Sequence, residues 1–200
     1  MIIIGITGTL GAGKGTVVDF LEKEKGFQHY SARGFLVKEI KKKGLVVNRD
    51  SMTSVANELR AQHAPSYIID QLYATAKASG KNCIIESIRT PGEIDSLRKK
   101  DRFYLFAVDA NAGLRFQRIK SRASATDNVD FETFLANEKR EMNTDDPNKQ
   151  NLEKCISRAD YIFENNGTVG DLTKKVSKVI AKIQGKDDTG KLMKRYCLKT

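Results

Sequence analysis

The chain has 200 residues, 40% of them hydrophobic, and 35 Lys+Arg against 25 Asp+Glu give a formal net charge of +10. That size and apolar share fit one globular domain with its own core, and three prolines without any repeat exclude collagen-like and low-complexity chains. The apolar runs are too short to span a membrane, and the N-terminal Met1-Ile2-Ile3-Ile4-Gly5 shows no basic leader, long apolar region or cleavage site, so a cytoplasmic protein without a membrane partner is expected.

Residues 2–7 are a β-branched run, the pattern of a strand buried on both faces of a parallel sheet. A helix is predicted over 14–25, with Gly26 just past its end. A short strand follows over 27–31 and a helix with a basic outer face over 34–43. Helices over 50–59, capped by Asp50 or Ser51, and from Pro65 to about Ala78 come next. The run at 82–87 is a buried strand and 91–100 a short helix. A fourth strand is predicted over 103–109, and helices over 111–122, 131–142 and 151–158. Residues 161–164 make the fifth strand, Asn165-Asn166-Gly167 a turn, and 168–183 the last helix. Strands alternating with helices predict an α/β fold, three layers around a five-stranded parallel sheet. The division expected is a domain over 1–183 and a flexible basic tail or linker over 184–200.

The strongest chemical signal lies between the first strand and the first helix. There Gly8-Thr9-Leu10-Gly11-Ala12-Gly13-Lys14-Gly15-Thr16 reads as a phosphate-binding loop. Its glycines let backbone N–H groups turn inward, and the helix N-terminus adds its positive dipole end. Lys14 supplies an ammonium for the β- and γ-phosphates of a nucleotide. The residue after Lys14 is Gly15, and the hydroxyl comes one place later at Thr16, which weakens a motor or GTPase-switch reading.

This form of the loop resembles the nucleoside monophosphate kinase family. The resemblance implies a P-loop NTPase fold with acceptor-binding helices and a helical lid, here about 123–150. It also implies ATP and Mg2+ as cofactors, the metal being held largely through water by Thr16 and Glu86. Ser31 and Arg33, in Tyr30-Ser31-Ala32-Arg33-Gly34, occupy the place of the family's acceptor-binding segment, although Gly34 and Val37 stand where an acid and an arginine are usual. Glu86 and Arg89, in Ile85-Glu86-Ser87-Ile88-Arg89-Thr90, match the stretch that binds the acceptor after the third strand. Arg115, Arg118 and Arg122 share one helix face. Arg118 and Arg122, with Arg140 from the following helix, are the expected catalytic arginines beside Lys14. Gly167, in the loop after the last strand, should border the adenine.

The same motifs also resemble the P-loop domain N-terminal to some deoxycytidylate deaminases and, less closely, dephospho-coenzyme A kinases. Three readings stay open at this stage. One is an ATP-dependent phosphotransferase acting on a (deoxy)nucleoside monophosphate or similar small phosphorylated acceptor. The second is a nucleotide-binding regulatory module with a fused or associated deaminase domain after the tail. The third is a dephospho-coenzyme A kinase-like enzyme. The positive charge is spread over helix faces without an RNA- or DNA-binding signature, which argues against nucleic acid as partner. Cys83, Cys155 and Cys197 lack metal-ligand spacing, and Cys83 sits in an apolar run as a core thiol would.

Overall fold

A computed structural model describes residues 1–100, 102–122 and 129–185 of the chain. In chain order the elements are β1 (Ile3–Gly8), α1 (Lys14–Lys25), β2 (Gln28–Ser31), α2 (Ala32–Lys42), α3 (Arg49–Gln62), α4 (Tyr67–Ser79) and β3 (Cys83–Glu86). They continue with α5 (Pro91–Arg98), β4 (Phe103–Asp109), α6 (Ala112–Arg122), α7 (Phe131–Met142), α8 (Leu152–Ser157), β5 (Tyr161–Glu164) and α9 (Val169–Gln184). All strand pairs are parallel, and the sheet order is β2-β3-β1-β4-β5. The expected α/β fold, with three layers and a five-stranded parallel sheet, is what the chain adopts.

The unbroken apolar strands follow from burial on both faces. Ile2, Ile4 and Ile6 turn toward one core with Val17, Val18 and Leu21 of α1 and Val176, Val179 and Ile180 of α9. Ile3 turns the other way, into a core shared with α2, α3, α4, α5 and α8. Side chains alternate along a strand, so a strand covered by helices on both sides must be apolar at every position. Each fully buried isoleucine contributes roughly 1.5–3 kcal/mol relative to an exposed one. Cys83 is buried in the second core, and that burial pushes its thiol up to about 11.

Several helix starts differ from the expectation, two of them because of a cap. Ser31 accepts a hydrogen bond from the Gly34 N–H, so α2 begins at Ala32 rather than at 34. Asn48 and Ser51 form a reciprocal capping box, so α3 begins at Arg49 rather than at 50 and runs to Gln62. Pro65 does not open α4, which starts two residues later at Tyr67. Instead the Pro65 carbonyl accepts from the Thr90 hydroxyl. The last helix reaches Gln184, one residue beyond the expected end. The proposed tail falls almost wholly outside the described residues, as do positions 123–128 of the expected lid and Cys197.

Candidate functional site

A cavity of about 830 Å3 lies at the carboxyl ends of β1, β2 and β3, with Lys14, Ala32 and Glu86 among its wall residues. Its walls join the phosphate loop to residues of α2, α3, the loop after β3, α6, α7 and the loop after β5. An open parallel sheet places ligands in this position.

The loop leaves β1 through Gly8, whose φ of +131° lies outside the range that side-chain-bearing residues adopt. A Cβ there would also stand 2.0 Å from the Val108 carbonyl oxygen of the neighbouring strand. Gly13 is equally constrained, with φ +104° and Asn165 Nδ2 2.4 Å from where its Cβ would be. Asn165 donates from that nitrogen to the Ala12 carbonyl at 2.8 Å, and its own carbonyl accepts from Arg118 at 2.9 Å. One asparagine after β5 thus ties the loop to α6. Thr9 is fixed through its hydroxyl to Asp109 Oδ1 at 2.5 Å.

Lys14 folds back over the loop. Its Nζ donates to the carbonyls of Gly8 at 2.8 Å and Thr9 at 2.7 Å. Desolvation, with the nearby Arg89 charge next in weight, lowers its pKa to about 7 although Glu86 and Glu141 oppose the shift. Gly11, Gly13, Gly15 and Thr16 line the cavity beside it, as does Leu10, whereas Ala12 is wholly buried behind them.

Glu86 lies at the end of β3 and lines the same cavity. Its Oε2 is 2.9 Å from His29 Nε2, and Ser87 donates to its Oε1 at 3.3 Å. Burial alone would push the carboxyl up, but the His29 hydrogen bond and charge, together with Lys14, bring it below its ordinary value. In turn the hydrogen bond to Glu86 raises His29. Ser87 has φ +69°, a left-handed conformation rare for a residue with a Cβ, directly beside the acid that faces the cavity.

A second part of the cavity wall is built on arginine. Arg89 donates to Glu141 Oε2 and to Gln150 Oε1, both at 2.6 Å, and Arg49 donates to Glu141 Oε1 at 2.6 Å. Each oxygen of one buried carboxylate therefore holds one guanidinium. Burial raises the Glu141 carboxyl, but the Arg89 and Arg49 charges outweigh it and keep the group ionised. The cluster of two cations and one anion keeps a net positive charge in the cavity wall. Deeper on α3, Arg60 forms a buried pair with Glu93.

The sequence-proposed residues are brought together unequally. Lys14, Thr16, Arg33, Glu86, Arg89, Arg118, Arg122 and Gly167 all line the cavity. Ser31 is spent on capping α2. Arg140 is half-exposed, points to Asp50 at 3.7 Å and is not a wall residue. Arg115 shares the helix face of Arg118 but turns inward, pairing with Glu138 and donating to the Ala110 carbonyl at 2.7 Å. Arg49, Glu141, His29, Asn165 and Arg60 were not singled out by the sequence, because their partners lie far away in the chain. Glu141 belongs to the run Glu138-Lys139-Arg140-Glu141, beside the Arg140 that the sequence does propose.

Among the described residues no helix is long and apolar enough to cross a membrane, and no group of three or more His, Cys, Asp or Glu side chains could hold a metal ion. The wall does offer the Thr16 hydroxyl and the Glu86 carboxylate, two hard oxygen donors. That set fits magnesium, which binds one or two protein oxygens and takes its remaining ligands from phosphates and water.

The chain is similar to a UPF0200 protein of Methanococcus maripaludis, at 29% identity over 86% of this chain and 91% of that one. A UPF0200 protein of Pyrobaculum aerophilum is 26% identical over 91% of this chain and 98% of its own. Among solved structures, TT1252 from Thermus thermophilus superposes with a TM-score of 0.62 at 20% identity, covering 90% of this chain and 97% of that one. A dephospho-CoA kinase from Campylobacter jejuni superposes with a TM-score of 0.51 at 16% identity, over 90% and 96% of the two chains. These likenesses establish the P-loop kinase fold. A family model described as an AAA domain matches residues 4–144, the span from β1 through α7 that carries the phosphate loop and most of the cavity wall, and the chain belongs to that family.

Proposed function

We propose that the protein is an ATP-dependent phosphotransferase acting on a (deoxy)nucleoside monophosphate or a similar small phosphorylated acceptor. One observation carries this reading. A single cavity is lined by a phosphate loop with its lysine and, close enough to Lys14 to act on its charge, by a net-positive pair of guanidiniums, Arg49 and Arg89. Two phosphate-selective groups in one cavity are what transfer between two phosphorylated molecules requires.

The chain's own groups have separable tasks. The loop amides and the α1 N-terminus receive the donor's phosphates, with Lys14 exchanging its two carbonyl contacts for phosphate oxygens. Arg89 and Arg49 grip the acceptor phosphate, with Arg33 at the rim. Arg118 and Arg122 come from α6 on the donor side, where they neutralise charge that builds on the transferring group. Gly167 borders the donor's base. Magnesium, when bound, neutralises and orients the donor's β- and γ-oxygens, with Thr16 and Glu86 as its fitting oxygen ligands. His29 holds the Glu86 carboxylate in place through their hydrogen bond. No covalent intermediate is needed, because positioning and electrostatics carry such transfers.

The test is a transfer screen with ATP·Mg against AMP, CMP, dCMP, UMP, dTMP, GMP and dephospho-coenzyme A. Lys14→Ala is expected to abolish transfer while the chain stays folded; transfer undiminished by Lys14→Ala would refute the reading. One observation favours the second reading, a nucleotide-sensing module serving a deaminase-type partner: Glu141 already engages both clamp guanidiniums. Saturable nucleotide binding with silence on every acceptor would select it.

A further inference from the structure

Two charged clusters meet at the acceptor end of the cavity, and they differ in net charge. Arg49, Arg89 and Glu141 sum to +1 and suit an anion. Arg60 and Glu93 sum to zero and are more deeply buried, at 3% and 0% exposure. Arg60 donates from Nε and Nη2 to Glu93 Oε1, at 3.2 and 2.9 Å. The other Glu93 oxygen accepts from the backbone N–H groups of Arg89, at 2.6 Å, and Thr90, at 3.1 Å. Glu93 is thereby saturated. Arg60 is not: its Nη1 is buried and has no hydrogen-bond partner, although the residue lines the cavity.

A buried N–H group without a partner costs about 1–3 kcal/mol. Thr53, earlier on α3, also lines the cavity, but its hydroxyl donates to the Arg49 carbonyl and makes no bond to Nη1. Leu36, Met52, Ala56 and Ile68 line the cavity around this part of α3, an apolar slot suited to a flat ring. A ligand group is therefore the natural partner of Nη1, and its charge can be argued. A carboxylate or phosphate placed there would lie within one guanidinium's width of the Glu93 carboxylate in a desolvated site. The repulsion would cancel what the cation offers. A neutral oxygen gains the hydrogen bond without that repulsion.

Building on the phosphotransferase reading, we propose that the acceptor end takes a nucleoside monophosphate whose base carries a ring carbonyl oxygen, read by Arg60 Nη1, in preference to adenylate. The phosphate goes to the positive clamp and the ring to the apolar slot. Adenine has no carbonyl oxygen, and its exocyclic amino group would meet the guanidinium donor to donor.

The experiment is equilibrium binding of CMP, UMP, IMP and AMP to the full chain without any phosphate donor. IMP and AMP form the sharpest pair, because IMP carries a carbonyl where AMP carries an amino group. The carbonyl-bearing nucleotides are expected to bind roughly tenfold or more tightly than AMP, the worth of one well-made hydrogen bond in a buried site. Arg60→Lys keeps a cation for Glu93 but has no second nitrogen to offer, so the preference should collapse to within about twofold. AMP binding as tightly as the best of the other three overturns the inference, as does no binding of any monophosphate. Should Arg60→Lys fail to fold, the wild-type comparison of IMP with AMP decides alone. Carbonyl preference without transfer in the ATP screen refutes the kinase reading and leaves this one standing. Transfer with AMP as the best acceptor does the reverse.

Discussion

Lys14 makes a quantitative prediction about protons. Its pKa in the free protein is about 7, against an ordinary 10.5, so in the range between those values folding strips a proton from it. A neutral amine still has two N–H groups, enough for the carbonyls of Gly8 and Thr9 that it meets. Donor phosphates arriving at the loop restore the charge. At about pH 8, one unit above the pKa, about nine in ten free chains carry neutral Lys14, so binding should take up about 0.9 proton per nucleotide. Recharging the amine costs about 1.4 kcal/mol at that pH, so affinity should be roughly tenfold weaker than for a lysine already charged. At about pH 6 the lysine is charged in both states and contributes almost no uptake. Titration calorimetry of an ATP analogue in two buffers of different ionisation enthalpy reads the proton count directly. Wild-type uptake near zero at the higher pH would refute the argument, and so would equal uptake by Lys14→Met.

Gly8→Ala should destabilise the fold and not merely the site. Its Cβ would stand 2.0 Å from the Val108 oxygen at a φ of +131°. The expected cost is about 3 kcal/mol or more, a fall in melting temperature of roughly 6–12 °C for a chain of this size; a melt within about 2 °C of wild type contradicts the geometry. His29 has its pKa raised chiefly by the hydrogen bond to Glu86. Its contribution to stability is then complete below the ordinary value of 6.5 and is lost as pH rises through the raised value. Thermal melts across that window should decline in wild type more steeply than in His29→Gln, and parallel profiles would count against a raised pKa.

Local and periodic features were legible from the sequence. The apolar run at residues 2–7 suited a strand buried on both faces, residues 103–109 read as a further strand, and the glycine-rich turn with Lys14 read as a phosphate loop. Helix starts were less legible, because Ser31 and Asn48 claim backbone N–H groups that apolar periodicity does not register. The arginine-rich part of the cavity wall was the least legible. Arg49 finds Glu141 across 92 positions, His29 finds Glu86 across 57, and Arg60 finds Glu93 across 33. No spacing rule connects such pairs; only the sheet order brings them together. Helical periodicity puts Arg115 on the face of Arg118, but Glu138 and the Ala110 carbonyl draw its side chain inward.

The central place of β1 has a consequence for biosynthesis. The strand is made before both of its neighbours, because Ile3 pairs with Cys83 on one side and Phe103 on the other, 80 and 100 residues later. At roughly 5–20 residues per second, Met1-Ile2-Ile3-Ile4 waits about 4–20 s for its first neighbours. During that interval the apolar strand has α1 to pack against on one face but no strand to pair with. Shielding by chaperones should therefore matter more to the yield of this protein than its final stability suggests.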